Sequence, residues 1–255
     1  MSSSESPLDT LARVSQSVEE KIVKYPDGLT YKGFLMGDIR HGLGTIYNDK
    51  GYMFKGMWKN NQKNGKGIVS WIKGNKKLKY EGSWKDNIPH GFGEFLVKDT
   101  YFYRGNWKEG QKYGQGQEIV RHGTTYVGQF KDNEPNGTGK MTYIHRDYYE
   151  GDFKNGKRHG LGKYTYVNGD VIEGWWNNGN MNGPGIIKYS TGTVFQGLFR
   201  NQMLNGYGIK KWPNGDEFKG WWINNKENGQ GTFTNSDGDV IEGVWINGRR
   251  KEILI

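Results

Sequence analysis

Along most of the chain, apolar and polar residues alternate with a period of two around a recurring glycine. A Gly-x-Gly pair follows nine residues later in nine of the ten repeats, as in Gly160 and Gly162. Alternation with this period predicts β-strands, and it fits no helical stripe. The recurring glycine comes every 23 residues, with one interval of 26, at Gly33, Gly56, Gly82, Gly105, Gly128, Gly151, Gly174, Gly197, Gly220 and Gly243.

Aromatic residues occupy two fixed positions of this repeat. The residue two before the recurring glycine is usually Tyr or Phe, and the residue two after it is usually Trp or Phe. Both positions share the glycine's side of a strand, so they predict an aromatic face, while the other face should be mostly Lys, Asn, Glu, Gln and Ser. We expect the first ring to lie opposite the second glycine of the Gly-x-Gly pair, where a ring can cover bare backbone.

Turn residues at two positions of the repeat predict the topology. Pairs such as Asn60-Asn61 and Asp132-Asn133 suit two-residue hairpin turns, because Asn, Asp and Gly tolerate a positive φ. A second turn carries glycine, as in the expected three-residue loop Asn168-Gly169-Asp170. We therefore predict an all-β fold: an elongated, single-layer antiparallel β-meander of 23-residue hairpin repeats over residues 25–255.

Residues 1–24 have a different pattern. Ser6-Pro7 is typical of a helix start, and Leu8, Leu11, Val14, Val18 and Ile22 follow helical spacing. We predict a short N-terminal helix over about residues 7–20 that caps the sheet edge. A lead-in strand with Val23 and Tyr25 should follow it. The alternative is a frayed tail.

Composition narrows the class of protein. Aromatic residues are abundant, with 10 Trp, 16 Tyr and 11 Phe, and the 41 glycines follow no collagen period. The absence of cysteine excludes disulfides, thiolate zinc sites and cysteine nucleophiles. The sequence shows neither a secretory signal nor a run of about 20 apolar residues, so we expect a cytoplasmic protein. The net charge of +9 favours acidic partners.

The polar residues predict no catalytic site, no metal ligands and no cofactor. His41, His90 and His159 share one position in separate repeats, roughly 10 Å or more apart, which is too far for one metal. Acidic residues such as Glu150 and Glu173 are spaced like rungs and do not converge. We predict that the protein is not an enzyme, that it has no small-molecule substrate and that nucleic acid is not its partner.

Two sets of residues are candidates for binding. The aromatic face predicts a protein-binding surface, although strong curvature could instead let its rings bury one another. Its candidates are Trp58, Trp84, Trp107, Tyr126, Phe130, Tyr149, Phe153 and Trp176. A basic patch could contact an acidic partner or could be merely solvated charge. Its candidates are Lys76, Lys77, Arg249 and Arg250.

The run Tyr149-Glu150-Gly151-Asp152-Phe153, followed by Gly160-Leu161-Gly162, resembles a MORN repeat. The resemblance covers roughly residues 28–250, as nine full repeats and a tenth half. It implies a scaffold for protein partners in a larger, cytoskeleton-associated assembly, such as the radial spokes of a ciliary axoneme. The alternative function is a peripheral membrane tether that recognises anionic phospholipids through basic loops.

Overall fold

The computed structural model describes residues 19–120 and 123–251, and in this part of the chain every regular element is a β-strand. The strands divide into two compact units, within residues 1–121 and within residues 122–255. The first unit contains β1 (Glu19–Lys24), β2 (Thr30–Met36), β3 (Ile39–Tyr47), β4 (Met53–Lys59), β5 (Gln62–Lys73), β6 (Lys76–Lys85), β7 (Ile88–Val97), β8 (Tyr101–Lys108) and β9 (Gln111–Val120).

The second unit contains the remaining strands, which alternate between seven and nine residues up to the two-residue β21. They are β10 (Thr125–Lys131), β11 (Glu134–Thr142), β12 (Tyr148–Lys154), β13 (Lys157–Thr165), β14 (Val171–Asn177), β15 (Asn180–Lys188), β16 (Val194–Arg200), β17 (Met203–Lys211), β18 (Glu217–Ile223), β19 (Lys226–Thr234), β20 (Val240–Ile246) and β21 (Arg249–Arg250).

Within each unit, every strand pairs antiparallel with the next strand along the chain. Each repeat contributes two strands, and consecutive pairing means that no crossover connection is needed. The predicted all-β antiparallel meander is confirmed.

The register of the hairpins corrects one prediction. In the hairpin of β12 and β13, Gly151 lies opposite Gly162 and Tyr149 lies opposite Tyr164. We predicted that the ring would lie directly opposite the second glycine, but the ring lies opposite a residue two positions away from it. It leans diagonally along the face instead, and a Cβ atom on Gly162 would overlap the Tyr149 ring. The predicted contact between ring and glycine therefore exists, but Tyr149 makes it from opposite Tyr164, two residues beyond the glycine.

The short turns have the predicted two-residue form. Asp132 and Asn133 have φ of 52° and 72°, the left-handed values that this hairpin turn requires. The longer loop after β13 is shifted by one residue from the prediction. The amide of Tyr166 donates to the carbonyl of Asp170 at 2.9 Å, so the three-residue loop is 167–169, closed by Gly169 at φ 90°.

The short turns also join neighbouring repeats. The amide of Asn225 donates to the carbonyl of Leu204 at 3.1 Å, and the Asn225 Oδ1 accepts from the Leu204 amide at 2.6 Å. Asn61 makes the same pair of bonds with Arg40, at 3.1 and 2.8 Å. A turn asparagine thus satisfies both backbone groups of one residue in the preceding repeat.

At the N-terminal end of the described chain, β1 pairs with β2, and Val23 lies opposite Tyr31. Val23 is in the predicted lead-in strand, whereas Tyr25 follows its end. The predicted helix over residues 7–20 lies outside the described residues, except for Glu19 and Glu20. These two residues already belong to β1, so the helix prediction is wrong at its last two positions.

The core of each unit consists of side chains from the aromatic face. In the first unit, Tyr31, Phe54, Trp58, Tyr80 and Trp84 are buried in one cluster. In the second unit the buried rings include Tyr126, Phe130, Tyr149, Phe153, Trp176, Phe218 and Trp222. The rings meet edge to face, as Tyr149 does with Phe153 at a centroid distance of 5.1 Å, which is a favourable geometry for aromatic pairs.

The opposite face differs from its prediction. It carries the expected polar residues, but it also exposes large apolar side chains such as Phe34, Leu161, Trp175 and Trp221. These side chains follow the recurring glycine directly or stand between the two glycines of a pair. The prediction of a mostly polar face missed them because it averaged over repeats.

Candidate functional site

Buried Tyr and Trp rings of the aromatic face are held by hydrogen bonds to backbone carbonyls of their own or the preceding strand. The Tyr149 hydroxyl donates to the carbonyl of Asp152 at 3.1 Å, and the Trp176 indole N–H donates to the carbonyl of Gly162 at 3.0 Å. Burial raises the pKa of the Tyr149 hydroxyl above its ordinary value, because the charged phenolate would lose its solvation. These polar atoms are therefore satisfied inside the fold and keep the rings fixed in orientation.

The predicted partner-binding residues of the aromatic face lie mostly in these cores. Seven of the eight are 0–7% exposed, and the eighth, Trp107, is half-buried. The rings bury one another, which is the alternative that the sequence left open. Burial within the chain does not test whether these eight residues contact a partner, so their role in binding stays a prediction. The seven buried residues are Trp58, Trp84, Tyr126, Phe130, Tyr149, Phe153 and Trp176.

A further row of aromatic side chains on the same face is partly exposed, next to the longer loops. We call this row in the second unit the outer aromatic row; it comprises Tyr143, Tyr164, Tyr166, Tyr189, Phe195 and Trp212. Tyr166 and Tyr189 are its most accessible members, at 37% and 41% exposure. Several neighbouring rings of the row contact one another: the ring centroids of Tyr164 and Tyr166 are 4.6 Å apart, and those of Tyr189 and Phe195 are 6.0 Å apart.

Two cations lie over these rings. The Arg158 guanidinium lies 4.5 Å from the ring centroid of Trp176 and 5.1 Å from that of Tyr164. The Lys210 Nζ lies 4.2 Å from the centroid of Trp212. Burial lowers the pKa of Lys210, with the nearby Glu227 carboxylate opposing the effect. The outer aromatic row therefore combines apolar area with positive charge, which suits a ligand that carries both apolar and acidic groups.

The first unit has a comparable arrangement near its own longer loops. The Arg40 guanidinium lies 4.4 Å from the Trp58 ring centroid, and the Lys63 Nζ donates to the Tyr52 hydroxyl at 2.9 Å. These residues border a cavity of about 500 Å³ together with Asp27 and Asn61. Cations thus accompany aromatic rings in both units, although the sequence prediction assigned no role to these residues.

One buried ion pair interrupts the aromatic face in the first unit. The Lys112 ammonium contacts the Glu118 carboxylate, and Lys112 also donates to the Tyr101 hydroxyl at 3.0 Å. Burial and the hydrogen bond to Glu118 raise the pKa of Tyr101 above its ordinary value. The prediction missed this network. The sequence feature that could have indicated the network is the acidic residue Glu118, because the same position in other repeats is aromatic, as at Phe95 and Tyr164.

The predicted basic patch is exposed in both units. Lys76 and Lys77 begin β6, whereas Arg249 and Arg250 form β21. The Arg250 guanidinium donates to the carbonyl of Glu242 at 3.2 Å. All four side chains are accessible to an acidic partner, and their role stays a prediction.

The polar residues form no metal centre in the part of the chain that the structure describes. In the same part, no helix has the length and apolarity that a membrane crossing requires.

A fold of aromatic-cored β-hairpins in consecutive repeats defines a class of repeat protein, and comparison with known families agrees. The family model described as the MORN repeat matches nine segments that together span well over half of the chain. The chain therefore belongs to the MORN-repeat family. The matched segments are residues 31–51, 54–76, 80–96, 103–119, 126–144, 149–171, 173–194, 195–217 and 218–240.

A curated relative shares part of this array. MORN repeat-containing protein 3 from Xenopus laevis is 37% identical over 62 residues, which is 24% of this chain and 24% of that protein. The match thus spans about a quarter of the relative's length.

Two solved structures show distant likeness. The TCP domain of the Drosophila melanogaster protein SAS-4, in complex with a proline-rich motif, is 9% identical, with a TM-score of 0.40 over 60% of this chain and 84% of that chain. A streptogramin B lyase is 11% identical, with a TM-score of 0.15 over 88% of this chain and 81% of that chain. Likenesses this weak do not bear on the function of this chain.

Proposed function

We propose that this chain is a non-enzymatic scaffold that binds a segment of a partner protein along its aromatic face. Membership of the MORN-repeat family supports a structural, protein-binding role. The observation that carries the proposal is the outer aromatic row, where partly exposed rings lie beside the cations of Arg158 and Lys210. Exposed aromatic area next to charge is typical of surfaces that contribute strongly to protein binding.

The buried rings support the same role indirectly. Because they complete the core within each unit, the outer rings need not pack against a second layer of this chain to stabilise the fold. A partner segment that crosses the strands would meet one repeat about every 9.6 Å, since each repeat adds two strands. Such a surface suits an extended or helical segment better than a compact ligand.

We further propose that the scaffold acts in a cytoplasmic, cytoskeleton-associated assembly, with the ciliary axoneme as the leading setting. This part of the proposal is supported by the resemblance to repeat arrays of radial-spoke and cytoskeletal scaffold proteins. The excess of basic residues over acidic ones in this chain is compatible with an acidic partner protein in such an assembly.

The proposal is tested by comparing captured proteins between matched variants. Tyr166→Ala combined with Tyr189→Ala removes two accessible rings, and Ile144→Ala combined with Val167→Ala removes exposed apolar side chains from loops of the same unit. Affinity purification from ciliated cells with quantitative mass spectrometry should show a discrete set of proteins that the ring variant loses and the control keeps. Equal capture by both variants, with equal melting temperatures, would contradict binding along this row.

A further inference from the structure

On the face opposite the aromatic rings, the second unit carries a row of exposed apolar side chains, interrupted in β19 by Gln230. Each of its members is 40–55% exposed. Leu161 lies opposite Trp175 in the sheet, and Tyr207 lies opposite Trp221 with a ring-centroid distance of 6.1 Å. We call this row the apolar stripe; it comprises Leu161, Trp175, Leu198, Tyr207, Trp221 and Val244.

The apolar stripe borders two depressions in the sheet surface. One has a volume of about 720 Å³ and is lined by Leu161, Trp175 and Leu198. The other has a volume of about 550 Å³ and is lined by Tyr207, Trp221 and Val244. Glycines of the repeat line both depressions, because without side chains they leave the strand backbone low between taller neighbours. The stripe is therefore one wall of a shallow groove that crosses the strands.

Charges differ on the two sides of the stripe. On the side of the short turns lie exposed basic residues, none of which forms an ion pair with another described residue. Arg200, for example, is two residues after Leu198, about 7 Å further along the strand. These basic residues are Lys154, Lys157, Arg200, Lys226 and Arg249. On the other side the charges are mixed and include Glu150, Glu173 and Glu242.

We propose that the apolar stripe binds an amphipathic helix of a partner protein whose acidic residues flank one edge of its apolar face. The acidic edge would face the basic residues by the short turns, where it finds unpaired positive charge. The spacing also fits, because a helix rises about 10.5 Å in seven residues and each repeat advances about 9.6 Å. An apolar residue at every third or fourth helix position then meets successive strands of the stripe.

A helix matches this surface better than an anionic membrane does. A flat anionic surface would approach both sides of the stripe at once, and on the mixed side Glu150, Glu173 and Glu242 offset the charges of Lys140, Lys163 and Lys219. A helix can present acidic residues to one side only. The proposal extends the scaffold function proposed above to a second surface, and it does not depend on the outer aromatic row, which lies on the other face.

The test uses synthetic helical peptides with the full-length chain. One peptide has Leu at alternating third and fourth positions with Glu along one flank, and its counterpart has Lys in place of each Glu. We expect the Glu peptide to bind at least about 10-fold more tightly than the Lys peptide in fluorescence anisotropy. Trp175→Ala combined with Trp221→Ala should weaken binding of the Glu peptide by at least about 10-fold.

Controls separate this proposal from the scaffold proposal. Tyr166→Ala combined with Tyr189→Ala, on the other face, should leave peptide binding unchanged, whatever its effect on captured partners. Circular dichroism verifies the fold of each variant. Failure of the wild type to bind the Glu peptide, or equal binding of both peptides, overturns the proposal.

Two other occupants have their own signatures. Vesicles of phosphatidylcholine with phosphatidylserine should not bind in a stripe-dependent way, and loss of vesicle binding in the Trp175/Trp221 variant would assign the stripe to a membrane instead. Self-association of the wild type that this variant abolishes in analytical ultracentrifugation would assign the stripe to a second copy of the chain. Either result overturns the proposal.

Discussion

A methyl group on Gly162 would overlap the ring of Tyr149, and the ring has little room to move. Tyr149 is 0% exposed, and its hydroxyl is bonded to the carbonyl of Asp152. We expect Gly162→Ala to lower the free energy of unfolding by about 1–3 kcal/mol, as overpacking of a filled site does. Urea denaturation followed by tryptophan fluorescence measures this change.

The next residue provides the control for that substitution. Lys163 is exposed on the opposite face, so Lys163→Ala should change stability by no more than about 0.5 kcal/mol. Equal losses in the two variants would show that the glycine is not needed for close packing of the ring.

The glycine spacing predicted that rings cover glycines, but it could not predict how each ring reaches them. The lean of Tyr149 depends on side-chain torsion, which strand alternation leaves open. Where the ring is absent, as at Ile172, the methyl group of Met181 fills the space over Gly185 instead. The sequence does contain Met181, an apolar residue nine positions after Ile172. Its role over the glycine can be recognised only when the register of the strands is known.

At the scale of the hairpin, the turn asparagines bind to the preceding repeat as well as forming the turn. Asn224 and Asn225 both have left-handed φ, at 48° and 65°, so glycine relieves backbone strain at either position. Asn225 accepts a hydrogen bond from the Leu204 amide at 2.6 Å, whereas Asn224 accepts only a longer, exposed one from the Asn205 side chain at 3.3 Å. We expect Asn225→Gly to be less stable than Asn224→Gly by about 1 kcal/mol, the usual contribution of such a bond.

Thermal and urea unfolding of the two single variants measure this difference directly. Because both substitutions make the same chemical change in the same turn, effects on the unfolded chain largely cancel. A difference near zero, or a more stable Asn225→Gly, would mean that the bond between repeats contributes nothing measurable.

Strands and short turns were predictable because both follow from local rules of alternation and positive φ. Loop boundaries and insertions were harder. The three extra residues in the interval of 26 lengthen β5 and β6 to 12 and 10 residues around a two-residue turn at Gly74 and Asn75. The buried pair of Lys112 and Glu118 was also missed, since each residue taken alone is ordinary surface chemistry.

For the molecule as a whole, the sequence separated an aromatic face from a polar one, but the structure shows exposed apolar side chains on both faces. The rings with the strongest periodic signal are buried by one another. The apolar stripe has a weaker signal because its positions are polar in the middle repeats, as at Gln129 and Asp152. Partner surfaces vary between repeats, whereas core positions recur, so periodicity identifies the core first.

The scaffold and the lipid tether predict opposite effects of the basic patch. Each basic residue near an anionic membrane contributes about 1 kcal/mol, so a tether should depend steeply on charge and salt. A scaffold that binds through the outer aromatic row should depend on the patch much less, because the cations beside that row are Arg158 and Lys210. The test variant changes four exposed residues to Glu: Lys76, Lys77, Arg249 and Arg250.

We expect this variant to keep the wild-type localisation and the partners whose capture depends on the rings of Tyr166 and Tyr189. A control with the same change in net charge replaces Lys55, Lys59, Lys85 and Lys131 with Glu; all four are exposed and lie outside the patch, with Lys85 at the opposite end of β6. Fluorescence microscopy and co-sedimentation with phosphatidylserine vesicles at low and high salt measure the outcome. If only the patch variant loses localisation and vesicle binding, while removal of the Tyr166 and Tyr189 rings has no effect, the chain is a membrane tether and the scaffold proposal is wrong.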